Sequence, residues 1–176
     1  MNNPIKKLLG KTFPITSNSI GSLIESFLGG EMNPHKSADF GFWELKTRKS
    51  GAKSYITLGG RKTNDLDYLV SDIYKKVQNI IFVEYDINDN KTFTINKITL
   101  LYGLDEEFFT SGLGTLYKLA PRSDGQKTLK ISQKNLKVMY GEKKIVYNNI
   151  EEIELCELET YSYFQTESLI GVSINA

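Results

Sequence analysis

Apolar positions fall into two kinds of run along this chain. Between residues 19 and 28, Ile20, Leu23, Ile24, Phe27 and Leu28 make one stripe at helical spacing. Ser17 or Ser19 can cap its start, and Gly29-Gly30 stops it. Leu66, Leu69, Val70, Ile73 and Val77 make a second helical stripe, capped by Asn64 or Asp65. Shorter helices are expected at residues 4–9, ended by Gly10, and at residues 104–109. The acids Asp105 to Glu107 suit a helix N-terminus electrostatically.

Strand patterns fill the intervals. Ile80-Ile-Phe-Val-Glu-Tyr85 is a β-branched and aromatic run typical of a buried strand, and residues 92–102 form another after a turn at Asn88-Asp-Asn90. Residues 39–58 predict a hairpin: a turn holding Asp39, a short strand, a basic Gly-containing turn and a second strand. In the first strand Trp43, Leu45 and Thr47 share one face, and Glu44, Lys46 and Arg48 the other. The apolar face is expected in the core, with Glu44 and Lys46 side by side on the exposed face. Gly59-Gly60-Arg61-Lys62 reads as a tight basic turn, and residues 110–134, broken by Gly112, Gly114, Pro121 and Gly125, as a long polar loop. Strand-like runs follow at residues 136–140 and 144–147, then a strand or helix at 151–159.

Elements in this order predict an α/β (α+β mixed) chain: a mixed central β-sheet flanked by helices, with a small β-rich C-terminal part. Residues 1–110 would form the core. Residues 111–176 would complete the fold and take part in recognition, or the whole would be one domain. The length of 176 residues suits either arrangement.

Composition narrows the chemistry. The single cysteine, Cys156, excludes an internal disulfide and a Cys-rich zinc site. The single histidine, His35, cannot make a His-based metal site. No apolar run approaches the roughly 18 residues that span a bilayer, so a cytoplasmic protein with no membrane partner is expected. Net charge is only +1, but it is unevenly spread. Residues 36–62 hold seven cations against two carboxylates, residues 118–134 five against one, and residues 142–167 seven glutamates against two lysines. Basic segments sharing a face would attract a phosphate backbone. Each run taken singly is also what a solvated surface looks like.

The sharpest candidate site is Asp39, Glu44 and Lys46. Two hard oxygen ligands and an ammonium around one point suit Mg²⁺-assisted phosphate chemistry. By itself Glu-x-Lys on a strand is more often a solvated ion pair. Its company strengthens the site reading: Asp39 upstream, an amphipathic helix carrying Glu25 before it, and a run of cations after it.

Gly21-Ser-Leu-Ile-Glu-Ser-Phe-Leu-Gly29, then Asp39, then Glu44-Leu-Lys-Thr47 resembles the core of the PD-(D/E)xK nucleases. More narrowly it resembles the branch that holds the mismatch-repair nickase MutH and the restriction endonucleases MvaI and BcnI. The Glu44-Leu-Lys-Thr-Arg48 run followed by Ser54-Tyr-Ile-Thr-Leu58 favours the latter side. The resemblance covers residues 10–60 well, residues 66–110 loosely and nothing in the last third. Ala38 stands where the family has a proline that is not a ligand.

The resemblance implies a restriction-endonuclease-like fold and a type II restriction endonuclease that hydrolyses double-stranded DNA at a short sequence. Asp39, Glu44 and the Leu45 carbonyl would hold Mg²⁺, with Mn²⁺ able to substitute. Lys46 would act on the attacking water, and Glu25 would sit against the metal site. Arg48, Lys49, Lys53, Arg61, Lys62, Arg122 and Lys127 are the candidate DNA contacts. Arg122 and its polar neighbours are also types that read base edges. The branch implies a monomer, with a homodimer open, and a cognate DNA methyltransferase in the same system. The alternatives are a MutH-like strand-nicking repair enzyme and a DNA-binding module on a nuclease fold.

Overall fold

The structure is a computed structural model and describes residues 7–28, 44–141 and 144–147. The expected turn at Asp39, His35, the cysteine and the 151–159 run lie outside the described residues. A five-stranded sheet joins β1 (Thr12–Pro14), β2 (Glu44–Lys49), β4 (Ile80–Asn88), β5 (Thr92–Leu101) and β8 (Lys144–Tyr147). Its path runs β1-β5-β4-β2, with β8 also on β5. A three-stranded antiparallel sheet joins β3 (Ile56–Arg61), β7 (Lys127–Ile131) and β6 (Tyr117–Pro121) in that order. Four helices complete the described chain: α1 (Ile20–Leu28), α2 (Leu66–Val77), α3 (Glu106–Thr110) and α4 (Gln133–Met139).

The longest strands form where the sequence is least ambiguous. β4 and β5 make an antiparallel hairpin whose turn puts Asp89 and Asn90 at positive φ, 50° and 59°. Short polar side chains tolerate that conformation best after glycine. The run Ile80 to Val83 is fully buried because both faces of β4 are covered. On one face Ile81 and Val83 pack with Leu45, Phe93, Ile95 and Ile24 of α1. On the other, Ile80 and Phe82 pack with Leu69, Ile73 and Val77 of α2, and with Ile56, Leu58 and Leu129 of the second sheet. The layers are therefore α1, the five-stranded sheet, and then a layer of α2, α4 and the small sheet.

Both long helices start where expected. Ser19 Oγ accepts from Ser22 N (3.2 Å) at the start of α1, and Asp65 Oδ1 accepts from Tyr68 N (3.1 Å) at α2. α1 lies close on β2, since a Cβ on Gly21 would sit 3.9 Å from Thr47 Oγ1.

Four expectations need correction. The 39–58 region is not a hairpin: β2 pairs in parallel with β4 through the α2 crossover, while β3 leaves for the second sheet. Gly59 to Arg61 is not a turn but the end of β3. There Gly60 lets the strand approach β7 closely, since a Cβ would stand 2.7 Å from Thr128 Cγ2. Residues 110–134 are not a long loop. They hold the β6–β7 hairpin, whose tip places Gly125 at φ +87°, and they lead into α4. The run at 136–140 is helical, because Ser132 caps it by accepting from Asn135 N (3.1 Å) and Leu136 and Met139 recur at helical spacing. Residues 12–14 are strand β1 on β5. The 144–147 strand is present as read.

Candidate functional site

β2 is an edge strand that begins inside the core. Glu44 N donates to Asn79 O (2.9 Å), and the residue is only 1% exposed. The predicted alternation is right, with Leu45 in the α1-side core and Glu44 and Lys46 on the opposite face. The expected exposure is wrong, because α2 and α4 roof that face.

A desolvated carboxylate needs partners. Glu44 Oε2 lies 3.1 Å from Lys76 Nζ and 3.7 Å from Lys46 Nζ. The lysine side chains keep 24% and 18% of their surface, so the cluster is dry at the carboxylate and wet at the ammonium ends. Tyr140, at the end of α4, is buried beside it. Burial first, and then the negative charge of Glu44, push its phenol well above the usual range. Its hydroxyl donates to Val77 O, which ties the end of α4 to the end of α2. Lys76 is the residue that sequence reasoning missed. Its signal was its place in α2, three residues after the buried Ile73 and beside the buried Val77, at the edge of the apolar stripe.

Along the same face, Lys46 stands opposite Phe82, and Arg48 opposite Glu84 on β4. Glu84 is 8% exposed. It accepts from Gln133 Nε2 (3.1 Å) and lies 4.0 Å from Lys137 Nζ, both on α4. Lys137 also sits 5.8 Å from the Phe82 ring centroid.

The other sequence candidates divide by what they touch. Glu25 is half-buried on α1, the helix that covers the Leu45 face of the sheet. Arg48 folds back on the chain, donating to Ser54 Oγ (2.8 Å) and Tyr55 O (3.4 Å). Arg61 is a brace between β3 and α2: its Nε is 2.6 Å from Asp72 Oδ2, and its Nη1 donates to Gly60 O (2.6 Å). Lys127 Nζ donates to Asn64 Oδ1 (3.1 Å). Arg122 pairs with Asp124 (3.2 Å) at the exposed tip of the β6–β7 hairpin. Lys49, Lys53 and Lys62 are exposed.

Among the described residues no three His, Cys, Asp or Glu side chains converge as a metal cluster. Asp39 lies outside them. What is described there is one buried carboxylate, Glu44, beside two ammonium groups, an oxygen donor of the type that hard divalent cations take.

A mixed sheet with helices on both faces matches a restriction-endonuclease-like fold. No family model matches the chain, and no curated protein matches it. Among solved structures it is similar to the complex of the restriction endonuclease MvaI with its cognate DNA substrate, with a TM-score of 0.56 and 15% identity. The similarity spans 82% of this chain and 94% of that one. At that identity it is a likeness of fold. Among the described residues no helix is long and apolar enough to cross a membrane.

Proposed function

We propose that this chain is a metal-dependent deoxyribonuclease that cuts double-stranded DNA at a short sequence, a type II restriction endonuclease. The observation that carries the reading is the buried Glu44 carboxylate, held between Lys46 and Lys76 on edge strand β2. The fold adds support, since the similar MvaI structure holds DNA.

In this reading Asp39, Glu44 and the Leu45 carbonyl hold Mg²⁺, or Mn²⁺ in its place. Bound there, the ion would polarise a phosphate oxygen and lower the pKa of a bound water. Lys46 keeps its ammonium at the mouth of the site, where it can orient that water or meet developing charge. The exposed Lys49, Lys53, Lys62 and Arg122 grip the backbone, so binding weakens steeply with salt.

The test incubates the protein and its Glu44→Ala variant with a long duplex DNA, in Mg²⁺ or in EDTA. Discrete fragments from the wild type in Mg²⁺ alone are expected, with a loss of about a thousandfold in the variant. Nicks without fragments would move the reading to a strand-nicking repair enzyme. Cleavage undiminished in Glu44→Ala would refute the site.

A further inference from the structure

A pocket of about 210 Å³ opens beside the small sheet, lined among others by Tyr55, Thr115, Leu116, Lys118, Lys130 and Asn135. That is room for about seven waters at roughly 30 Å³ each, well below the ~300 Å³ where drug-sized ligand sites begin. Its wall mixes two chemistries. Leu116 is apolar and Tyr55 brings an aromatic ring, while Lys118 and Lys130 bring two cations. Lys118 Nζ is held 4.1 Å from the Tyr55 ring centroid, so one cation is already fixed at an aromatic wall. Asn135 Nδ2 donates to Leu116 O (3.1 Å), which fixes an amide in the lining. Tyr117 is turned inward, its hydroxyl donating to Phe109 O (2.8 Å) and its ring stacked on Phe109.

The pocket is wired to the candidate site. Arg48 lies two residues beyond Lys46 on the same face of β2, about 6.6 Å along the strand. It then donates to Ser54 Oγ and Tyr55 O. Tyr55 of the pocket wall is thereby joined through Arg48 to the strand that carries Lys46.

We propose that this pocket receives one nucleotide of the DNA strand, taken out of the base stack. The base lies against Tyr55 and Leu116, and the phosphate meets Lys118 and Lys130. An aromatic ring and an apolar side chain suit a base, which every nucleotide offers, and paired cations suit its phosphate. The proposal rests on the nucleic-acid reading above and adds a place where the strand leaves the duplex.

The test follows backbone amide NMR signals of the metal-free protein during titration with each of the four deoxynucleoside 5′-monophosphates, and with inorganic phosphate. Duplex binding is measured in parallel by fluorescence anisotropy. Expected are saturating shifts confined to residues around Tyr55, Thr115 and Lys118, stronger with nucleotide than with phosphate. Tyr55→Ala and Lys118→Gln, both at exposed positions, should each weaken nucleotide binding by about fivefold to a hundredfold. Phosphate giving the whole effect, or no pocket shift at millimolar nucleotide, would overturn the proposal. If duplex DNA still binds in that case, the nuclease reading survives. Nucleotide binding without duplex binding would keep the pocket and remove that reading.

Discussion

Lys76 Nζ on α2 lies closer to Glu44 Oε2 than does Lys46 Nζ, at 3.1 Å against 3.7 Å. The acid at the head of β2 thus takes its nearer cation from the crossover helix and not from its own strand. A buried carboxylate that loses a partner keeps its desolvation cost. Lys76→Met should lower unfolding stability by about 1–3 kcal/mol, less than the ~3–5 of a fully buried pair because the lysine keeps contact with water. Mg²⁺ should then stabilise the variant more than the wild type, since a cation at Glu44 offsets the missing ammonium. Urea midpoints with and without Mg²⁺ measure both effects. An unchanged midpoint in metal-free buffer would mean that the other partners of Glu44 suffice.

Arg61 and Lys62 are neighbours in sequence with different fates. The guanidinium is locked to Asp72 at 2.6 Å with both side chains largely covered, while Lys62 is exposed. Asp72→Asn should cost about 1–3 kcal/mol, because it leaves a shielded cation short of its charge partner. Lys62→Ala should change stability by less than about 0.5 kcal/mol. In DNA binding the order is expected to reverse, with Lys62→Ala weakening affinity more than Asp72→Asn. Denaturant titration and anisotropy on the same two variants check the pair.

That contrast shows what was legible in the sequence. Elements with a strong period were readable: α1, α2, β4 and β5 stand where their stripes and alternations put them, because local pattern and tertiary burial agree there. The partner of each strand was not readable. Nothing local in residues 44–61 says that β2 and β3 enter different sheets, since that depends on α2 carrying the chain across to β4. The burial of Glu44 was hidden for the same reason. Alternation gives the face of a side chain, and only the covering elements decide whether that face is wet. Lys76 contacts Glu44 across that crossover, so it could not be found by spacing within one motif.

Arg122 sits at the tip of the β6–β7 hairpin with more than half of its side chain exposed, paired with Asp124 on the same turn. A surface pair of this kind contributes little to stability, so the guanidinium can exchange its carboxylate for a DNA phosphate or a guanine edge. Arg122→Ala should leave the unfolding midpoint within about 0.5 kcal/mol of wild type. If the contact is to phosphate, affinity falls for all sequences and the salt slope drops by about one. If it is to a base, discrimination at one position falls by about 1–3 kcal/mol and the slope holds. No change in affinity, slope or discrimination would remove the hairpin tip from the interface.

Two buried phenols contribute to how the fold responds to alkali. Burial pushes Tyr117 up to about 12, and Tyr140 is raised well above its usual range. Unfolded, both would lose their protons near pH 10. Folded, they hold them, so above pH 10 the folded state binds more protons than the unfolded one. Stability is therefore fully present below about pH 10 and falls as pH rises toward 12, by up to about 1.4 kcal/mol per pH unit for each tyrosine. Tyr117→Phe loses the hydrogen bond to Phe109 O and should cost about 1 kcal/mol at neutral pH. It also removes one ionisation from the alkaline slope, so the two stability curves should converge between about pH 10 and 12. Urea midpoints across that range are the measurement. Curves that stay parallel would mean that Tyr117 titrates alike in both states, and that its hydroxyl is reached by water in the folded protein.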